Sequence, residues 1–335
     1  MVGSSRFNFA WLAVDRHLLS SSPLWLFLFN AGDSFQFVII AMLGYARGRY
    51  PFLPGYPLAI RFVGLLIGDY WLAAFLVTQM FALSSVVMFQ LLAEQYMERR
   101  EAMWTATLLS TFPYIFVFTS LGYSEALYFF STISTWYFYR TGRLRTSALC
   151  AALASITRIY GIGIVLPITI DLLRKGDYRK LIYIAVPSVA LFSWALFCYK
   201  TTGNPFISLS EEYTVYPIVG LNVNFVQAIW MHLTQGTPNA SLDPAVLLAF
   251  VLLALLAGMV WQLDRALWAY TIIMFVSLAF VATSAISLLR FISFIFPLWL
   301  TVKVKHPAVV AICLAFLIPI SLLLWLYAIT VFFVG

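Results

Sequence analysis

The sequence is poor in charge: only 10% of its 335 residues are Asp, Glu, Lys or Arg. A soluble domain carries about a quarter. A chain that is 63% hydrophobic cannot cover its surface with polar groups, so lipid must be its solvent. It also lacks any polar stretch beyond a few dozen residues, which excludes a sizeable water-soluble domain. Cysteine is scarce. Cys150, Cys198 and Cys313 all sit in apolar runs, odd in number and without metal-motif spacing, so they read as packing residues. The three histidines, His17, His232 and His306, are scattered and form no ligand cluster. Asp33 follows the apolar residues 18–31 where a small-residue cleavage site would stand, so no cleavable signal peptide of the usual form is expected. The net charge of +7 would fit a nucleic-acid partner, but the basic residues lie in short loops between apolar runs. They act as topology signals, and no nucleic acid is expected.

What is there in quantity is apolar sequence. Runs near the length needed for a hydrocarbon core of about 30 Å recur along the whole chain. A first, short span is read at 18–31, which contains three serines and Pro23. Others follow at about 71–93, 102–120, 125–139, 147–157, 160–173, 181–199, 244–263, 267–286, 290–302 and 307–333. The reading is an all-α polytopic membrane protein of about eleven transmembrane helices, with residues 1–335 as one integral membrane domain. Residues 32–70 form a first outer loop with interfacial helices at 35–45 and 57–68, and 200–243 form a second.

The basic residues set the orientation. Arg99, Arg100, Arg140, Arg143, Arg145, Arg174, Lys175, Arg179, Lys180, Arg265, Lys303 and Lys305 share one side. Arg47, Arg49, Arg61, Arg158, Lys200 and Arg290 fall on the other. The positive-inside rule makes the richer side cytoplasmic and turns both larger loops outward. Chemistry on that outer face would need a donor delivered on a lipid, because nucleotide sugars are scarce there.

A few charged residues stand out against this background. Asp33 follows Asn30-Ala31-Gly32, ahead of the Pro- and Gly-rich run Tyr50 to Pro57. It is either a solvated helix cap or a carboxylate held at the membrane surface by a rigid loop. Glu125 opens a span after a very short outer loop. Interaction with the helix dipole explains it as well as function does. Arg158 and Arg290 lie at outward boundaries, where an arginine can snorkel or can clamp a phosphate. Glu211 and Glu212 sit in the second outer loop with Tyr213, Tyr216, Trp230 and His232, as a solvated surface or a sugar contact. Asn239-Ala240-Ser241 fits the glycosylation acceptor pattern.

Four segments in order resemble the PIG-V-like family of mannosyltransferases, within the GT-C class of polyprenol-phosphate-sugar-dependent glycosyltransferases. They are Asp33-Ser34 with Gly44-Tyr45, Pro51-Phe52, Pro57-Leu58 and Ile60-Arg61; Phe112-Pro113 with Tyr123-Ser124-Glu125; Thr157-Arg158 with Gly161; and Gly203-Asn204-Pro205-Phe206. Arg290-Phe291 with Pro297 adds a weaker match. Gly32 stands where the family usually has tryptophan.

The resemblance implies a GT-C-like fold and transfer of mannose, or another hexose, from a polyprenyl phosphate to a lipid-linked or GPI-like acceptor, with inversion. It implies Asp33 as the base and Arg158 and Arg290 as donor-phosphate ligands. Glu125, Tyr123, Ser34, Tyr45 and Glu212 would contact sugar or acceptor. No cofactor is implied, and a divalent metal is possible but not required. The short length leans towards a prokaryotic plasma membrane over the endoplasmic reticulum. The competing readings are a lipid or solute transporter, or flippase, whose path Asp33, Glu125 and Arg158 would line, and a non-catalytic subunit of a glycosylation complex.

Overall fold

Asp69 begins the first long span by capping it: its carboxylate accepts from the N–H groups of Trp71 and Leu72 at 2.8 and 3.0 Å. The computed structural model that shows this describes residues 33–215, 255–281 and 290–334. The proposed first span at 18–31 lies outside them, as do Trp230, His232, Asn239 and residues 244–254. The described residues are helical, with no strand among them.

In chain order the helices are α1 Asp33–Leu43, α2 Gly55–Ile67, α3 Tyr70–Ala93, α4 Arg99–Thr111, α5 Pro113–Ser120, α6 Glu125–Arg140, α7 Leu144–Thr157, α8 Val165–Arg174, α9 Ala185–Thr202, α10 Ile207–Val215, α11 Arg265–Val281, α12 Phe296–Trp299 and α13 Pro307–Val334. Residues 255–263 are also helical. Tighter 3-10 turns occupy Ile159–Ile164 and Tyr178–Ile184.

Among the described residues, three stretches are long and apolar enough to cross a membrane: Tyr70–Ala93, Tyr178–Thr202 and Pro307–Ile329. The chain is therefore an all-α integral membrane protein. The stretch expected as one span at 102–120 is two helices, α4 and α5, bent by 67°. Pro113 supplies no N–H and pushes Phe112 into extended backbone, φ −66° and ψ 130°, which breaks the helix. The stretch expected as a span at 290–302 breaks as well. Helical backbone at 290–293 ends, Ile295 takes φ −79° and ψ 81°, and the four-residue α12 starts with Pro297 in its first turn. Phe294, Ile295, Phe296 and Leu300 are buried, so this segment is irregular chain inside the protein.

The core forms around α6, which packs against α3 and α7, while α13 covers α4 and α5. Helix α6 is buried on nearly every side despite its hydroxyls. Ser131, Thr132 and Thr135 return their O–H groups to carbonyls four residues back, at 2.6, 3.1 and 2.7 Å, which satisfies those donors, while Ser134 Oγ and Trp136 Nε1 are buried with no hydrogen-bond partner among the described residues. Ser147 of α7 donates to the Thr135 carbonyl at 2.9 Å, and Ala151 and Ala154 let the two backbones approach.

Helix α1 differs from the surface helix expected at 35–45. Gln36, Phe37, Val38, Ile39, Ile40 and Ala41 are all buried, with Phe37 edge-on to Phe52 and Tyr56. A helix apolar right round is packed in a protein core or spans a membrane, and here these residues are covered by protein. Helix α2 is two-faced: Tyr56 and Ile60 face inward, while Leu58, Phe62, Leu65 and Leu66 are exposed. Arg61 of α2 donates to the Ala41 carbonyl at 3.2 Å and so ties down the end of α1.

Candidate active site

The start of α1, the start of α6, the end of α7 and the Arg290 turn meet at one place. Glu125 is the first residue of α6 and its side chain is 1% exposed. Arg158 follows the last residue of α7 in extended backbone, φ −143° and ψ 138°. The Gly161 N–H bonds the Arg158 carbonyl at 2.8 Å and folds the next turn back over α7. That fold requires glycine: a Cβ on residue 161 would sit 2.2 Å from the Ala154 carbonyl oxygen. Gly55 is required similarly. A Cβ there would sit 2.4 Å from the Thr157 hydroxyl, next to Arg158.

Both arginines converge on one oxygen of Glu125. Arg158 Nη2 lies 2.6 Å from Oε1, and Arg290 Nη2 donates to the same atom. Arg158 also donates from Nε to the Ser124 hydroxyl at 3.2 Å and from Nη1 to the Tyr160 hydroxyl at 2.7 Å. Aromatic faces cover the cations. Arg290 lies 4.1 Å from the Phe118 ring centroid and 4.9 Å from that of Tyr123, and Phe291 touches both arginines at 5.4 Å. Two guanidinium groups meet one carboxylate, so this knot keeps a surplus positive charge. Glu125 Oε2 and Arg290 Nε are buried with no hydrogen-bond partner among the described residues. Buried polar atoms seldom stay unpaired unless something else satisfies them.

Asp33 stands at the edge of this knot. It is the exposed first residue of α1. Its N–H donates to the Tyr123 hydroxyl oxygen at 3.4 Å, and its carboxylate acts electrostatically on Tyr123 and Arg290. Burial, and then Asp33, raise the pKa of the Tyr123 phenol, which stays neutral. Ser34 is buried in the same turn.

The structure therefore brings together Asp33, Ser34, Tyr123, Glu125, Arg158 and Arg290, and it separates Tyr45. Tyr45 lies beyond the far end of α1, roughly 16 Å along an eleven-residue helix. Its hydroxyl donates to the Phe52 carbonyl at 2.8 Å, and its ring packs against Trp194, Tyr50 and Phe197. Glu212 lies on α10, with its side chain outside the described residues. Its neighbour Glu211 is 5% exposed and accepts the N–H groups of Gly48 and Tyr50 at 2.9 and 3.1 Å. The solvated surface expected for the pair does not describe Glu211, which fastens α10 to the loop that follows α1.

Two hydroxyls hold Arg158: Ser124, which the sequence places in the Tyr123-Ser124-Glu125 match without a role of its own, and Tyr160, whose only signal there is its place in the turn after Arg158. Among the described residues no group of three or more His, Cys, Asp or Glu side chains comes together as metal ligands.

Neither a curated protein nor a solved structure matches the chain. The profile described as mannosyltransferase (PIG-V) does match, over residues 17–186, and these include α1, α6, α7 and the turn that carries Arg158. The chain thus belongs to the PIG-V mannosyltransferase family and is a membrane glycosyltransferase by descent.

Proposed function

We propose that this protein moves mannose, or a closely related hexose, from a polyprenyl phosphate to a lipid-linked or GPI-like glycan acceptor. In this reading the chain is a GT-C-type enzyme of about eleven spans. It works at the extracytoplasmic face, in a prokaryotic plasma membrane, without nucleotide sugar or obligatory metal. One observation carries the proposal: a buried Arg158–Glu125–Arg290 knot of surplus positive charge lies beside an exposed carboxylate, Asp33.

The chemistry needs both halves. The acceptor hydroxyl attacks the anomeric carbon from the face opposite the phosphate, so the configuration inverts. Asp33 takes the hydroxyl proton as the new bond forms, a contribution of about 10²–10⁴-fold in such steps. The bond from the anomeric carbon to the phosphate oxygen breaks, and its electron pair stays on the phosphate. Arg158 and Arg290 face the charge that grows there. Glu125 draws the two guanidinium groups together and orients them, while Tyr123 spaces Asp33 from them. The free Oε2 of Glu125 is an acceptor for a sugar hydroxyl.

The test uses full-length protein in lipid nanodiscs with radiolabelled polyprenyl-phosphate-mannose and a panel of lipid-linked and GPI-like acceptors, with no nucleotide sugar. Transfer by wild type, lost in folded Asp33→Asn, supports the reading. Equal transfer by both removes Asp33 from the role of base. Donor flux into vesicles without transfer would favour a transporter.

A further inference from the structure

The hydroxyls on Arg158 have a role that the ion pair cannot fill. Glu125 meets the guanidinium at Nη2 alone, and a planar group held at one corner is free to pivot about it. The Tyr160 hydroxyl takes Nη1 at 2.7 Å and the Ser124 hydroxyl takes Nε at 3.2 Å. Every nitrogen of the group is then anchored, and its plane is fixed.

Tyr160 is itself braced. Its ring meets that of Tyr128 edge-on, with centroids 5.1 Å apart and planes at 81°, and it meets Phe291 at 6.0 Å and 70°. Tyr128 is buried on α6, and its hydroxyl lies 3.3 Å from that of Tyr270 on α11. Phe291 follows Arg290 in the chain. One side chain thus touches the helix that opens with Glu125, the Arg158 guanidinium and the turn that carries Arg290. These packing contacts use only the ring. A phenylalanine would keep them, so packing does not call for the hydroxyl that reaches Arg158.

We propose that Tyr160, assisted by Ser124, is a positioning residue for sugar transfer: its hydroxyl aims the Arg158 guanidinium at the phosphate oxygen that gains charge as the sugar leaves. This rests on the transfer reading above. Tyr160 touches no substrate and acts through Arg158. Charge alone draws a lipid phosphate towards the knot, and that attraction survives if the guanidinium swings. Stabilising the transition state requires the donors to be aimed where charge develops, so the loss falls on kcat and not on KM.

The constants kcat and KM for polyprenyl-phosphate-mannose are measured in nanodiscs for wild type, Tyr160→Phe, Ser124→Ala, Arg158→Lys and Tyr160→Phe/Arg158→Lys. Thermal unfolding checks that each variant folds. Tyr160→Phe should lower kcat by about tenfold or more and move KM by less than about twofold. In the Arg158→Lys background the same substitution should change kcat by less than about twofold, because the fork it holds is gone. Ser124→Ala should act in the same direction as Tyr160→Phe, and it decides alone if Tyr160→Phe does not fold. A hydroxyl that only stabilises the fold would lower the unfolding temperature and leave kcat of the folded enzyme unchanged, which overturns the role. An equal loss of kcat in both backgrounds overturns it too, since Tyr160 would then act apart from Arg158. So does a raised KM at constant kcat, which would put the hydroxyl on the donor itself. A wild type that transfers nothing overturns the transfer reading and this role together, whereas each of the other failures is seen against an active wild type.

Discussion

Arg290 and Glu125, 165 residues apart in sequence, form an ion pair inside the protein at the start of α6. Arg158 shares the same carboxylate oxygen, so the three groups act as a unit. Taking one member from a buried ion pair costs about 3–5 kcal/mol, because the other is left uncompensated. Glu125→Gln keeps the shape but sets two cations face to face. It should lower the thermal unfolding midpoint strongly. The double variant Glu125→Gln/Arg290→Met should be more stable than the sum of its two single losses allows. Strictly additive losses in detergent unfolding would show that the pair is not coupled.

Arg158 makes three directed contacts, to Glu125, Ser124 and Tyr160, from three different nitrogens. Lysine carries the same charge as a single point and cannot reproduce that fork. Arg158→Lys should therefore fold but transfer sugar about 10²-fold more slowly, the scale seen when one donor to a developing anion is lost. The measurement is kcat/KM for polyprenyl-phosphate-mannose. An unchanged value would remove Arg158 from the phosphate role.

These residues were legible one at a time in the sequence, and their meeting was not. Asp33, Glu125, Arg158 and Arg290 are conspicuous because an ionisable group in an apolar chain is costly and seldom idle. Nothing in a linear pattern places position 290 on position 125, since loops and irregular chain carry that contact. Helix α1 was readable as a helix but not as a buried one, because burial of its outer side depends on α2 and α3. The break at Phe112 was written in Pro113, and the apolar run around it hid the bend. Tyr45 shared a motif with Asp33 yet sits at the opposite end of the helix between them, so nearness in a motif did not mean nearness in space.

Glu211 joins two segments that are distant in sequence. Its two oxygens accept the N–H groups of Gly48 and Tyr50, so α10 holds the loop that follows α1. Glutamine keeps one acceptor oxygen and loses the other. Glu211→Gln should leave one of these N–H groups unpaired, at a cost of about 1–3 kcal/mol. The loss is local, so hydrogen exchange should speed up at residues 48–52 with little change in α6. Unaltered exchange at 48–52 would show that the aromatic packing of Tyr45, Tyr50 and Trp194 holds the loop alone.

Tyr123 separates Asp33 from Arg290, and its state can be read by pH. Burial, and then the Asp33 carboxylate, raise its phenol pKa above the ordinary 10.0. The folded protein therefore keeps a proton that the unfolded chain gives up near pH 10. The stability linked to Tyr123 is complete below pH 10 and is lost as pH climbs from there towards the folded value. Stability should fall with a slope of up to about 1.4 kcal/mol per pH unit for this one proton. Tyr123→Phe should make the alkaline slope shallower by that amount. At neutral pH it should cost only the bond to the Asp33 N–H, about 0.5–1.5 kcal/mol. Because the phenol is neutral throughout, the shape of the pH–rate profile for sugar transfer between pH 5 and 9 should survive the substitution, even if its height falls. If a limb of that profile vanished in Tyr123→Phe, the proton taken in the reaction would pass through Tyr123 and not directly to Asp33.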